Sequence, residues 1–399
     1  MSNKILESDL NNKTVIVRVD FNVPTEDGIV LDDSRIRNTL PTINFLKKAG
    51  AKIVLLSHMG RSGGYASQLS LRQILTIVEH VYQDKITFIE NCLDPNAKET
   101  IDALPAGSIV LMENVRFYSD ETSCDPEFGK KLAKLGDFYI NEAFSVSHRA
   151  HASMVELPKI LPHAFGFSFL SEVKIIDNFF SQDIHPKMCI IGGSKLSTKV
   201  ALLKNMVKKV DKIALGGGIA GAFLSHFGNT TFKIFDPKEY ADDVNDIIEN
   251  AKKHNCDLIV PEDFSALIHN NENLGHAIIS AGSGNASIFD IGPSTIKLFQ
   301  KQIAESKMVM WNGPVGLFER SPFDFGTKEI ANYIAKLTRD KKITSIIGGG
   351  DTGCAMKKFG VEKDMTYMST AGGAFLMYIE GTRLPAIIAM EDSPNFYAL

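Results

Sequence analysis

The sequence predicts an α/β protein made of two parallel-sheet domains, and three observations predict it. At 399 residues the chain is too long for one ordinary core, so two domains are expected. Short apolar, β-branched runs alternate with helical patterns from end to end, the pattern of a parallel sheet wound with helices. Nearly every such run ends in glycines or in cationic and amide side chains, where open parallel sheets take their ligands.

In the first half the expected strands are 14–20, 51–58, 86–90, 108–114 and 137–144, with helices such as 35–49 and 70–82 between them. In the second half they are 187–193, 211–218, 257–263, 307–314, 343–350 and a short 366–370. Two prolines interrupt the stretch 156–169, which places the boundary there, and a helix at about 171–183 links the halves. The domains are thus expected at 1–170 and 171–380, ahead of a terminal segment, 381–399.

Composition narrows the class. The chain is 44% hydrophobic and 23% charged with a net charge of −4, so nothing in it points to nucleic acid or an anionic membrane as partner. No apolar run approaches the ~18 residues of a membrane span, and the opening MSNKILESDLNNK is too polar for a signal peptide. Five scattered cysteines without a CxxC read as reduced thiols of the cytoplasm. No heptad pattern is present, and a monomer is expected.

Of the 43 basic residues only ten are Arg, and seven of those precede residue 150. Guanidinium offers a rigid donor fork for carboxylate and phosphate that Lys does not imitate. Arg72 and Arg37 read as solvated surface groups. The others join His residues at the strand ends in a cationic ring: Arg18, Arg35, His58, Arg61, Arg116, His148, Arg149 and His151. Any one of these is by default a surface or structural group; their arrival at four strand ends suits a small polyanion.

The second half carries glycines instead: Gly192-Gly193, Gly216-Gly217-Gly218, Gly313 and Gly348-Gly349-Gly350. Glycines between strand and helix let backbone N–H groups approach phosphate oxygens closely. Asp351, straight after three of them, suits a Mg²⁺ ligand. Lys195 and Lys199, four apart, are expected on one helix face, pointing at one anion. Glu319 suits a ribose hydroxyl, and an exposed loop Glu nearly as well. The P-loop pattern is absent. A GxGxxG does occur at 216–221 with Asp236 about twenty residues on, which supports a rival reading as an NAD-dependent oxidoreductase but explains neither the other glycine clusters nor the arginines.

Taken in order, these segments resemble the phosphoglycerate kinase family. The matches are VRVDFNVP (17–24), DDSRIRNTLPTI (32–43), LLSHMGR (55–61), ENVRFY (113–118), AFSVSHRAHAS (143–153), IGGSKLSTKV (191–200), LGGGIAGAFL (215–224), DIGPST (290–295), WNGPVGLFE (311–319), IIGGGDTG (346–353) and STAGGAF (369–375). They span almost the whole chain. The resemblance implies two Rossmann-like domains facing across a cleft and joined by a hinge helix, with 381–399 returning to the N-terminal domain. It implies ATP-dependent phosphorylation of 3-phosphoglycerate to 1,3-bisphosphoglycerate, with Mg²⁺ accompanying ATP or ADP. Its substrate contacts fall on Asp20, Asn22, Arg35, His58, Arg61, Arg116 and Arg149. Its nucleotide contacts fall on Lys199, Asn312, Glu319, Gly349, Gly350, Asp351 and Thr352, with Asp351 as metal partner.

There are departures: Glu142 stands where Asp is common, Ser145 where Gly is frequent, Thr198 where many members have Asp, and Ala371 replaces one glycine of a frequent STGGGA. Ile288 and Phe289 sit where a Gly-Leu pair commonly faces the adenine, which bears on nucleotide selectivity. A carboxylate acceptor is already ionised at neutral pH and needs no general base, so positioning and charge stabilisation carry the catalysis. That charge falls to Arg35, Lys195, Lys199, amides near 371–373 and Mg²⁺.

Overall fold

The structure is a computed structural model that describes residues 3–4, 7–26, 28–226, 240–270, 273–281 and 286–399; Asp236 lies outside them. The chain divides into two compact units, Met1–Lys174 with Arg383–Leu399, and Ile175–Thr382. The division falls within the helix Phe167–Ser181, four residues ahead of the span expected for it.

In the first unit the strands are β1 (Thr14–Arg18), β2 (Lys52–Leu56), β3 (Ile86–Ile89), β4 (Ile109–Met112), β5 (Phe138–Asn141) and β6 (His163–Phe165). All pair in parallel, in the order β3-β4-β2-β1-β5-β6. Every residue of β1, β4 and β5 is buried, as in a parallel sheet covered on both faces. Val15, Val17, Ile53 and Leu55 face Ile36, Leu46, Leu71 and Val78 from the helices of one side. The chain's order reverses at β1, whose neighbours β2 and β5 precede and follow the whole excursion through β3 and β4. Ligands of open sheets gather at such a reversal.

The expected helix 35–49 is two, Ser34–Asn38 and Leu40–Lys48. Pro41 in the first turn of the second has no N–H to donate backwards, and Thr39 Oγ1 donates to Ile36 O at 2.7 Å instead. The chain's last stretch lies in this unit. Ala386 packs with Ala143, Val146 and Met154, and Tyr397–Ala398 pairs with Asn3–Lys4.

The second unit runs through β7 (Lys187–Ile191), β8 (Lys212–Leu215), β9 (Asp257–Ile259), β10 (Asp263–Asn270), β11 (Asn273–Ser280), β12 (Ala286–Ile291), β13 (Met308–Asn312), β14 (Thr344–Gly348) and β15 (Tyr367–Met368). Six of them form a parallel sheet ordered β9-β8-β7-β13-β14-β15, reversing between β7 and β13. Trp311, fully buried on β13, anchors its core with Met188, Ile190 and Ile347. The single strand expected at 257–263 is a correction. Pro261, lacking an N–H, follows the end of β9, and a separate antiparallel sheet β11-β10-β12 begins at Asp263.

Glu142 ties the end of β5 to the start of the helix Phe167–Ser181. Its Oε1 accepts from Thr42 Oγ1 at 2.9 Å and from the Ser168 amide at 3.1 Å, while Thr42 Oγ1 accepts from the Phe167 amide at 2.9 Å. Its Oε2 is buried without a partner, and burial pushes the carboxyl from an ordinary 4.5 up to about 7. A carboxyl that keeps its proton to higher pH when folded makes the native state bind more protons across that window, so stability falls as pH rises from about 4.5 to 7. Relative to Glu142→Gln, the wild type should lose up to about 3 kcal/mol over the window, read from urea denaturation at a series of pH values. Parallel curves for the two proteins would refute the buried proton.

Candidate functional site

In the first unit the expected groups converge beyond β1, β2, β4 and β5. Asp20 is buried after β1; its Oδ2 accepts from Arg35 Nη1 at 2.7 Å and from Ser145 Oγ, and its Oδ1 accepts from the Asn22 amide at 3.1 Å. Burial raises its pKa, but the Arg35 guanidinium and the hydrogen bonds from Ser145 and the Asn22 amide act against that, and the value lies below the usual one. Asn22 Oδ1 accepts from the Gly60 amide at 2.9 Å, setting the loop that carries exposed Arg61. Arg116 is 4% exposed and donates through Nη1 to Gly60 O at 2.5 Å. Its Nε and Nη2 are buried and find no acceptor. Burial, then Arg18 and Arg149, lower its pKa to about 10. Two orphaned donors in a crowd of cations describe a site completed by an anion.

The cationic ring needs two corrections. Arg18 is wholly buried and faces inward: Nε donates to Ser153 Oγ at 2.8 Å and Nη1 to Val19 O at 2.5 Å. Ser153 in turn donates to the buried Glu121 carboxylate at 2.6 Å, which answers the Arg18 charge internally. The histidines are the second correction. Burial, with Arg18, Arg116 and His151 nearby, holds His58 well below 6.5; burial and Arg116 bring His151 to about 3; burial and Arg149 lower His148. All three are neutral at pH 7, so the positive charge of the ring belongs to Arg35, Arg61, Arg149 and the buried Arg116. His58 still has a defined role. Arg18 Nη2 lies 3.3 Å from His58 Nδ1, and a guanidinium only donates, so Nδ1 accepts and the proton sits on Nε2, a neutral donor.

In the second unit a cavity of about 530 Å³ opens beyond β7, β8, β13 and β14. All four glycine clusters reach it, through Gly192, Gly217, Gly313 and Gly349 among others, along with Lys199, Asn312, Glu319, Asp351 and Thr352. The glycines serve loop packing as well as access. A Cβ at Gly192 would lie 2.1 Å from Pro314 O, so the loops after β7 and β13 touch backbone to backbone. Gly349 has φ +97°, where a side chain is strained, and starts the helix Gly350–Lys358 with its amides toward the cavity rim. Thr352 Oγ1 accepts from the Gly313 amide at 2.7 Å, and Asn312 Nδ2 donates to Gly348 O at 2.8 Å. Lys199 Nζ donates to Asn312 Oδ1. Burial lowers Lys199 to about 8 against the opposing pull of Glu380 and Asp351.

Lys195 and Lys199 do not share a helix face. A 3₁₀ turn, Leu196–Thr198, separates them and the α-helix starts only at Val200. Lys199 is buried at the cavity, whereas Lys195 is exposed and outside its lining. An apolar wall comes from Ile288, Phe289, Leu317 and Phe318, fixed by the Leu317 amide donating to Phe289 O at 2.8 Å. Sequence reasoning passed over Leu317 and Phe318, since apolar loop residues carry no signal until their neighbours are known.

A family model described as phosphoglycerate kinase matches residues 5–382. The phosphoglycerate kinase of Wolbachia pipientis subsp. Culex pipiens (strain wPip) is 41% identical over 387 residues, covering 96% of this chain and 98% of that protein. That of Caulobacter vibrioides (strain NA1000 / CB15N) is 41% identical over 388 residues, with the same coverage of 96% and 98%. Among solved structures, phosphoglycerate kinase from Coxiella burnetii superposes with a TM-score of 0.85 at 35% identity, over 96% of this chain and 97% of that one. The enzyme from Pyrococcus horikoshii OT3 gives 0.80 at 28% identity, over 98% of each chain. A match of this length leaves no place for the dinucleotide-dependent oxidoreductase reading of Gly216–Gly221. With arginines gathered at the strand ends of one unit and a glycine-rimmed cavity in the other, the chain belongs to the phosphoglycerate kinase family.

Proposed function

We propose that the chain transfers a phosphoryl group reversibly between ATP and 3-phosphoglycerate, giving ADP and 1,3-bisphosphoglycerate, a step of glycolysis and gluconeogenesis. The observation that carries this reading is Arg116, whose two buried donors have no partner and whose neighbours include the Arg18 and Arg149 guanidiniums. The first unit binds the acid. Arg61, Arg116 and Arg149, with Asp20, Asn22 and the Nε2 proton of His58, hold its phosphate and carboxylate; Arg35 meets the phosphoryl group that moves. The second unit binds the nucleotide. Its base lies against Ile288, Phe289, Leu317 and Phe318, its ribose near Glu319, and its phosphates at Lys199, Asn312 and Gly349 through Thr352.

A carboxylate oxygen of the acid attacks the γ-phosphorus as the bond to the ADP oxygen breaks, and no proton moves. The work is orientation and charge stabilisation, by Arg35 and Lys199 on the transferring group, with Lys195 supplying charge from outside the cavity lining. Mg²⁺ bound with the nucleotide supplies further charge neutralisation. Asp351 would hold it: an exposed carboxylate in the first turn of the helix at the phosphate end. One protein carboxylate beside the phosphates' own oxygens is the usual provision for Mg²⁺, and among the described residues no cluster of three or more His, Cys, Asp or Glu competes for it. The reading takes the enzyme to be a cytoplasmic monomer, and five free cysteines suit a reducing compartment. Among the described residues no helix is long and apolar enough to cross a membrane.

Arg35→Ala should lower kcat at least about a hundredfold with little change in KM, while Arg61→Ala should chiefly raise KM for the acid. Steady-state kinetics of both variants check this, and equal effects on both parameters at both sites would contradict it. Lys199 is protonated below about 8 and loses its charge above, so kcat/KM for ATP should fall as pH rises through that value. Lys199→Arg should remove that limb of the profile; an unchanged limb would assign it to another group.

A further inference from the structure

We infer that Ser145 is a positioning residue that fixes the acid-binding arginines across the reversal point of the first sheet. It stands on the turn Phe144–Val146 after β5, next to β1 in the sheet, and is half-buried. Its hydroxyl donates to Asp20 Oδ2, the oxygen that also accepts from Arg35 Nη1 at 2.7 Å. One carboxylate oxygen therefore joins the loop after β1, with Arg35, to the turn after β5.

That turn is stiff and carries the remaining cations. The Val146 amide donates to Ala143 O at 3.0 Å, Ser147 to Phe144 O at 3.0 Å and Arg149 to Val146 O at 2.9 Å. A shift at Ser145 therefore moves Arg149 with it. Without its hydroxyl, the Asp20 oxygen keeps Arg35 as partner, but the side-chain link from that oxygen to the turn carrying Arg149 is lost. Arg116, with two donors waiting for an anion, would meet a looser partner set. The hydroxyl is neutral, so it secures this spacing without cancelling charge that the substrate needs.

The inference rests on the proposed activity, and its test separates the two. Ser145→Ala should raise KM for 3-phosphoglycerate three- to tenfold, leave kcat and KM for ATP within twofold, and leave the melting temperature nearly unchanged. Calorimetric titration of 3-phosphoglycerate into the full-length variant should show the same loss of affinity without turnover. In an Asp20→Asn background the Ser145→Ala change should add less than twofold, because the hydroxyl acts through that carboxylate. An unchanged KM for the acid, an equal rise in KM for both substrates, or a full multiplicative effect on top of Asp20→Asn would each overturn the role of Ser145. A wild-type protein that neither binds 3-phosphoglycerate nor phosphorylates it would instead overturn the activity.

Discussion

Like charges gathered at one end of a sheet repel one another, and burial removes the water that would screen them. The first unit's chemistry depends on how this repulsion is contained. Arg18, which has no outlet, is answered from within by Ser153 and Glu121. The histidines give up their charge, and His58 becomes a neutral donor whose proton position Arg18 dictates. Arg35 is held by Asp20. Arg116 keeps one bond, to Gly60 O, and has two donors left over. Those two donors are what the fold leaves unanswered, and on the proposed reading a bound polyanion would answer them. Such sites commonly lower the stability of the empty protein.

The second unit meets a different constraint. Its strand-end loops approach one another so closely that side chains are excluded. Gly192 and Gly313 lie against each other, and Gly349 takes a conformation that side chains resist. A single ammonium, Lys199, is placed among these amides, held by Asn312 and depressed by burial. Asn312 in turn bonds Gly348 O, so the lysine, the glycine turn and Thr352 form one connected rim.

Much of this was legible in the sequence because parallel sheets confine chemistry to strand ends, and the ends were marked by residue types with few other uses. Asp20 and Arg116 stand just past strands, and Lys199 and Asp351 line the cavity beyond them, as that rule suggests, whereas Arg35 stands on a helix and was marked by residue type alone. Orientation and ionisation were not legible. Every residue of β1 is buried, so period-two alternation carried no signal, and Arg18 read like its neighbours although it points inward. His58, His148 and His151 counted as cations because burial by distant elements is invisible in a string. Lys195 and Lys199 have helical spacing, but a 3₁₀ turn separates them and the α-helix starts after both. The run expected as one strand at 257–263 passes through Pro261, and that proline separates β9 from the antiparallel strands that begin at Asp263.

On the proposed reading, Arg116 serves a bound anion at a cost to the stability of the empty site. Thermal melting of wild type and Arg116→Met, with and without 3-phosphoglycerate, tests it most directly. Without ligand, Arg116→Met should melt at or above the wild-type temperature, because one buried, repelled charge is gone and only the bond to Gly60 O is lost. With ligand, the wild type should gain several degrees and Arg116→Met almost nothing. A variant that melts well below wild type yet keeps the full ligand-induced rise would show that Arg116 is a structural residue and that the anion is held elsewhere.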